Sequence, residues 1–405
     1  MSPRSVHSAA ALSLFVPLIV CGVARSQVLT GRFFPEKQVY LVGEPVFINF
    51  EISNPGDHTA WIDSSMGRPC IERDPIEVVG AKYHGFGSDL SLGCFGGVAG
   101  SCTANDIELK PGGKYTGRIF LSALFHMDHA GIYDVRARRH VPVSTIGPLS
   151  PPNSSFMDFA SDLSVELVHG GEEELKATFQ PYIRDVNSRD ESAQWQAIWA
   201  IEEMAPAFLE DLILKLADMP NRAAGTFGAL RRLGTTNSKR KLAGLAALGP
   251  DEIRQGAIIE LAKTGDRTYL PVLIHIAQGS LNGTRDLAIR SVGLLGGDEA
   301  IPFLSSVLRE PGVYGRVAAV RGLSITASRS AVTILIELLR DPDESIFREV
   351  TQGLAQLTHR SITPEPWGET PSADEYRRWH DWWLLNGLTA PIYSTDSCAQ
   401  PRPLK

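Results

Sequence analysis

The stretch "HMDH" sets His126 and His129 three residues apart around Asp128, with His140 downstream. Imidazole and carboxylate groups are metal ligands, and three or four of them converging would hold zinc or a related ion. The spacing is not that of HExxH on a helix, however, and no glutamate base accompanies it. The reading favours solvated or packing histidines, with no metal and no cofactor. A metal-dependent enzyme using His126 and His129 is kept only as an alternative.

Cysteine is the next reactive type. Of five cysteines, Cys21 lies in the leader described below, which leaves Cys70, Cys94, Cys102 and Cys398. No CxxC spacing points to zinc. An even number in an exported chain points to disulfides, and four cysteines allow three connectivities. Cys94 and Cys102 flank the glycine-rich "FGGVAGS" and make the favoured pair, because a short loop closes most easily. Cys70 and Cys398 are then the second pair. No nucleophile elbow, P-loop, dinucleotide fingerprint or zinc-protease motif occurs, so no catalytic residue is assigned.

The aromatic residues cluster. "YRRWHDWW" (376–383) holds three of the seven tryptophans. Ser372 and Glu375 have capping-box spacing and start a helix. With Trp379 at zero on a helical wheel, Trp383 lies at about 40°, Tyr376 at about 60° and Trp382 at about −60°. One stripe of four aromatics reads as a structural cap over a core edge, against the alternative of a stacking platform for a ligand.

Around these residues the chain divides in composition. Residues 1–26 read as a signal peptide: Arg4, an apolar run from Ala9 to Val20, and small residues at Ala24 and Ser26 before Gln27. The run is short for a transmembrane anchor. A lipoprotein signal at Cys21 is less favoured, because Val20 stands where a small residue belongs. The expected location is secreted or periplasmic, with no membrane span in the mature chain. Loss of Arg4 and Arg25 takes the formal charge from −7 to −9, which gives no support to a nucleic-acid surface.

Residues 28–170 carry strand signals. In "YLVGEPVFINFEISN" a turn at Gly43 precedes Val46, Ile48, Phe50 and Ile52, which alternate toward one face. "LKPGGKYTGRIFLSAL" repeats the scheme through Tyr115, Ile119 and Leu121. "AGIYDVRARRHVPV" offers Ile132, Tyr133, Val135 and Ala137, and "SDLSVELV" offers Leu163, Val165 and Leu167. Seven to nine strands in an antiparallel β-sandwich are expected, with a proline-rich loop over 145–155.

Residues 172–360 are helical and repetitive. A 31-residue period aligns Leu230, Leu261, Val292, Leu323 and Leu354. Four residues earlier stand Thr226, Ala257, Ala288, Ala319 and Val350. A second helix aligns Leu242, Leu273, Leu304 and Leu335, and then Leu245, Ile276, Val307 and Leu338. Gly234, Gly265, Gly296 and Ala327 fall between the two helices. Each unit is a pair of helices whose apolar stripes are buried only by stacking on neighbours. Arg254, Arg285, Arg316 and Arg348 lie near the starts of the first helices. "QAIWAIEEM" and "EDLILKLADMP" form an irregular first pair. Residues 361–390 make the capping helix region and 391–405 a tail.

Two resemblances follow from these motifs. "YxxGEPV", "PGG" and "GIYDVRA" resemble bacterial Ig-like domains, including those similar to the intracellular proteinase inhibitor family. The repeat columns resemble HEAT repeats, especially the short HEAT-like type named after phycobilisome lyases. The implied fold class is an Ig-like β-sandwich followed by an armadillo-like α-solenoid with a tryptophan-rich cap. Such arrays bind proteins along one face. The exposed columns of the second helices, Gly244, His275, Ser306 and Glu337 with Ala247, Gln278, Arg309 and Arg340, are the expected binding surface. The expected function is a non-enzymatic exported protein-interaction or scaffold protein with a protein partner. The alternative is an extracytoplasmic proteinase inhibitor acting through sandwich loops at 64–70, 84–102 or 124–130.

Overall fold

A computed structural model describes residues 29–63, 76–81, 106–150, 153–219, 223–279, 283–360, 373–394 and 402–403. A β region comes first and a helical region follows. Strands β1 (Thr30–Pro35), β3 (Phe47–Ser53) and β7 (Lys114–Phe120) form one antiparallel sheet in the order β1-β3-β7. A second sheet runs β2 (Val39–Leu41), β9 (Ser155–Val168), β8 (Gly131–Ser144), β4 (Ala60–Asp63) and β6 (Asp106–Leu109), with β5 (Ile76–Val78) paired to β8. All pairings are antiparallel except β2 with β9, which is parallel. The two sheets share one core. Phe33, Ile48, Phe50 and Ile52 from the first meet Tyr133, Val135, Phe159 and Val165 from the second.

Most strand alternation holds. Val46, Ile48, Phe50 and Ile52 are buried together, as are Tyr133, Val135 and Ala137. Ile132 is an exception: it points outward and is exposed. The outer face of β3 is also not simply wet. Phe47 is buried there, stacked on Phe120 at 4.4 Å, in a small cluster with Ala123, Ala200 and Trp199. Arg118 reinforces this seam. It chelates Glu36 through Nε and Nη2 (2.5 and 2.9 Å), donates to Gln196 at 2.5 Å and lies over the Phe47 ring at 4.0 Å.

Strand gives way to helix between Val168 and Glu172. Helices α1 (Glu172–Asp185), α2 (Glu191–Met204) and α3 (Glu210–Leu216) precede α4 (Ala223–Leu233), α5 (Thr236–Leu248), α6 (Asp251–Lys263), α7 (Leu270–Gly279) and α8 (Gly283–Gly296). Then come α9 (Ile301–Val307), α10 (Val313–Ser324), α11 (Arg329–Leu338), α12 (Glu344–Thr358) and α13 (Ala373–Asn386). Both first-helix columns are fully buried from Thr226 to Leu354, as are Leu242, Leu273, Leu304 and Leu335. These side chains belong to one continuous core that extends to Trp379.

The even-numbered helices α4 to α12 pack on one another in succession, and glycine permits the approach. A Cβ on Gly256 would meet the Phe227 ring at 2.6 Å, and one on Gly353 would meet Cβ of Ser324 at 2.9 Å. Between α8 and α10 the contact is backbone on backbone: a Cβ on Gly293 would lie 2.7 Å from the carbonyl carbon of Gly322 and 2.8 Å from its Cα.

The turns between paired helices need a left-handed residue. Gly234 (φ 62°), Gly265 (φ 68°) and Ala327 (φ 56°) supply it. In the third unit the left-handed residue is Gly297 (φ 55°), while Gly296 closes α8 in right-handed conformation. The expectation for Gly296 is therefore off by one residue, because α8 runs one residue further. Ala327 carries a Cβ in a conformation costing roughly 1–2 kcal/mol. Ala327→Gly is expected to stabilise the protein by about 1 kcal/mol, read as a rise in the denaturation midpoint. A fall would show that the turn relaxes around alanine.

The arginine column is structural. Arg285 donates to Glu310 at 2.6 Å and Arg316 pairs with Asp341, each across 25 residues. Glu310 and Asp341 are themselves one period apart. Position 279 in the same register is a glycine, so Arg254 turns to the Gly249 carbonyl at 3.2 Å. Arg348 stays within its own helix on Glu344 at 3.0 Å.

Asp266 shows the same coupling between units. It caps the turn before α7 by accepting from the Thr268 amide and hydroxyl (3.2 and 2.7 Å), and from Lys239 of α5 at 2.9 Å. The Thr268 hydroxyl first, then Lys239, lower its pKa from 3.8 to about 2. A carboxyl depressed in the folded state adds stability above its unfolded pKa, and this is lost as pH falls through the folded pKa. The difference in melting temperature between wild type and Asp266→Asn is expected to be constant above about pH 5. It should close between pH 3.8 and about 2. A gap that persists at about pH 2 would assign it to something other than ionisation.

Candidate functional site

The expected binding columns lie on α7, α9 and α11, with Arg309 and Arg340 just beyond the ends of α9 and α11. His275, Gln278, Ser306, Arg309, Glu337 and Arg340 are all exposed. Their surroundings differ. Ser306 bonds back to the Phe303 carbonyl at 2.7 Å within its own helix. Glu337 and Arg340 pair with each other at 3.2 Å and are also engaged by the chain itself.

That engagement comes from α13. The Tyr376 hydroxyl donates to Glu337 at 3.1 Å, and the Arg340 guanidinium lies 3.6 Å from the Tyr376 ring centroid. The Trp383 indole N–H donates to Thr333 at 3.1 Å. Arg329 donates to the Ala390 carbonyl at 2.8 Å and to the Gly387 carbonyl, which satisfies acceptors just beyond the C-terminus of α13. Tyr376 thus meets the C-terminal end of α11 and residues 387–390 meet its N-terminal residue, so the helices run antiparallel. The polar flank of α11 is covered by α13 of the same chain.

The aromatic stripe of α13 packs against the helical core. Trp379 is fully buried and meets Trp382 edge-to-face at 5.6 Å. Tyr376, Trp382 and Trp383 are half-buried against the same core. The wheel placed the stripe correctly on one side of the helix. What it could not show was that two of its polar tips, the Tyr376 hydroxyl and the Trp383 N–H, select particular residues of α11. The indole N–H groups of Trp379 and Trp382 are buried without an acceptor among the described residues. Ser372 lies outside the described residues.

A second charged feature runs along the even-numbered helices. Arg231 donates to the buried Glu260 at 2.7 Å, and Arg321 is bidentate on Glu349, with its Nε contact at 2.9 Å. Between them Asp286 is raised in pKa by burial, and Arg290 is lowered by burial and by Arg321. The Arg231–Glu260 and Arg321–Glu349 pairs each join two neighbouring even-numbered helices.

The histidines are not gathered. His126 and His129 are exposed, with His129 3.4 Å from Asp128. His140 is elsewhere on β8, stacked on Phe156 at 4.3 Å and 2.5 Å from Asp158, its cross-strand partner. Among the described residues no group of three His, Cys, Asp or Glu side chains could hold a metal ion. In the 124–130 segment Leu124, Phe125 and Met127 are buried in the β core, while His126, Asp128, His129 and Ala130 are exposed. Cys70, Cys94, Cys102 and Cys398, residues 1–26 and the loops at 64–70 and 84–102 lie outside the described residues. Among the described residues no helix is long and apolar enough to cross a membrane.

No family model and no curated protein matches the chain. Among solved structures, a crystal structure of an engineered protein from a structural-genomics consortium is similar at 18% identity. The similarity covers 44% of this chain and 95% of that one, with a TM-score of 0.29, too low to assign a fold.

Proposed function

We propose that this is a non-enzymatic, exported protein-interaction module: an Ig-like β-sandwich fixed to a HEAT-like α-solenoid that binds a helical segment of a partner protein along the outer flank of its second helices. The observation that carries this reading is α13. The chain itself seats a helix on Thr333 and Glu337 of α11 and on Arg340 just beyond its end. The corresponding positions on α7 and α9, His275 with Gln278 and Ser306 with Arg309, are exposed. Two sheets around one core support the sandwich reading. The buried 31-residue columns support the solenoid reading.

The test is affinity capture from a native extracytoplasmic extract, comparing wild type with the double variant His275→Glu, Arg309→Glu. Both positions are exposed, so the fold is expected to survive. Specific partners should be lost from the variant. Recovery of the same partners by both proteins would remove this flank from the function.

A further inference from the structure

Asparagine is a thermolabile residue, and a glycine after it leaves the next backbone nitrogen open to the asparagine side chain. Asn386 and Gly387 form such a pair at the C-terminus of α13. The chemistry needs only water. The Gly387 nitrogen bonds to Cγ of Asn386, and the Cγ–Nδ2 bond breaks. The proton of the Gly387 amide passes through water to the departing nitrogen, which leaves as ammonia. Water then opens the five-membered imide. Opening at Cγ gives aspartate, and opening at the main-chain carbonyl gives isoaspartate, with one more carbon in the backbone. No oxidant or reductant takes part.

We propose that Asn386–Gly387 is a self-modification site, locked while α13 is seated on α11 and reactive once α13 leaves it. Both reacting groups are held in the seated helix. The Gly387 N–H donates to the Trp383 carbonyl at 2.7 Å, and the Asn386 side-chain amide donates to the Trp382 carbonyl at 2.8 Å. The Asn386 carbonyl accepts from the Thr389 and Ala390 amides at 3.0 and 2.7 Å. Attack would break the first two bonds together and turn the backbone at the third. Space is closed as well, since a Cβ on Gly387 would lie 2.9 Å from the Trp383 ring. The lock is anchored in α11: Thr333 accepts from the Trp383 indole, and Arg329 donates to the Gly387 and Ala390 carbonyls. Reaction then opposes reseating. Either product puts a negative charge at the C-terminus of α13, where the helix dipole disfavours it. Either also removes the donor to the Trp382 carbonyl. Isoaspartate further shifts Gly387 and Ala390 out of register with Arg329. Prolonged release of α13 is thereby fixed covalently, and Glu337 and Arg340 stay uncovered.

The test is peptide mapping by mass spectrometry after incubation at mildly alkaline pH, with digestion at lower pH. Fragment spectra assign deamidation to Asn386. Folded wild type should react at least about tenfold more slowly than the same chain in denaturant, because reaction then waits on local opening. Arg329→Ala and Trp379→Ala should both react faster than folded wild type, with circular dichroism confirming that the helices persist. Arg329 is exposed, so its variant serves even if Trp379→Ala does not fold. Asn386→Asp reproduces one product, and its hydrogen exchange should rise across α13 and leave the β region unchanged. A denatured chain that does not deamidate at Asn386, or a folded one that does so equally fast, overturns the proposal. So does a wild-type rate in folded Arg329→Ala, which would place the lock elsewhere than in the seating. Wild-type exchange in Asn386→Asp would show that the modification fixes nothing, and overturns it too.

Discussion

Gly293→Ala is expected to lower stability, although helix propensity alone predicts a gain of about 1 kcal/mol. Gly293 sits mid-helix in α8, where alanine is otherwise the better residue. Its missing Cβ would fall 2.7 Å and 2.8 Å from the carbonyl carbon and Cα of Gly322, and closer still to the Gly322 carbonyl oxygen. Those atoms belong to the backbone of α10 and cannot rotate away. The approach is constrained from the other side as well: a Cβ on Gly322 would meet Leu304 at 2.9 Å and the Ile289 carbonyl oxygen at 3.2 Å. Separating the helices to admit a methyl group would loosen Ala288, Val292, Ala319 and Leu323, all fully buried. Overpacking of this kind costs about 1–3 kcal/mol, and a rigid neighbour puts alanine at the upper end. Gly293→Val should exceed about 4 kcal/mol, in the range reserved for a named structural failure. Chemical denaturation of the three proteins measures the order. A Gly293→Ala variant as stable as wild type would mean that α8 and α10 are not in backbone contact.

The position of Gly293 explains which parts of the fold were legible. Periodic burial was: the columns from Thr226 to Leu354 are apolar or small because each faces a stacked neighbour, and a period of 31 exposes that directly. The glycines at the helix crossings, Gly256, Gly293 and Gly353, occupy no single column, because each crossing has its own geometry. They read as punctuation until the neighbouring helix is in place. The left-handed turn was visible at Gly234 and Gly265 but displaced to Gly297 in the third unit, since two adjacent glycines leave the helix end undecided. In the β region, alternation identified Ile48, Phe50 and Ile52. It gave Phe47 to solvent, because the helices that cover it come more than a hundred residues later. The exposed columns of the second helices were readable as polar. That Glu337 and Arg340 are filled by Tyr376 was not, since a flank and its occupant share no period.

Trp379→Ala is expected to cost about 3–5 kcal/mol, the range for removing a large aromatic from a core that cannot collapse around the void. Trp379 is fully buried, and its nearest aromatic, Trp382, is held at 5.6 Å by the same helix. Trp379→Phe should cost much less. The indole N–H of Trp379 has no acceptor among the described residues, and an unpaired buried donor carries a penalty of about 1–3 kcal/mol that phenylalanine removes. A tryptophan kept for a hydrogen bond would reverse that ranking. Loss of the anchor leaves α13 held by Tyr376 on Glu337 and Trp383 on Thr333, both exposed contacts of modest worth. Hydrogen exchange should therefore rise first in α13 and then in α11, before the β region responds. A release of α13 also uncovers Glu337 and Arg340, so the variant should present one more length of bare second-helix flank than wild type. In the capture experiment it should retain partner binding under mild conditions, or increase it, while melting earlier. Unchanged thermal unfolding in Trp379→Ala would mean that the helix closes nothing. Lost capture in a folded variant would mean that α13 itself, and not the flank beneath it, is what the partner recognises.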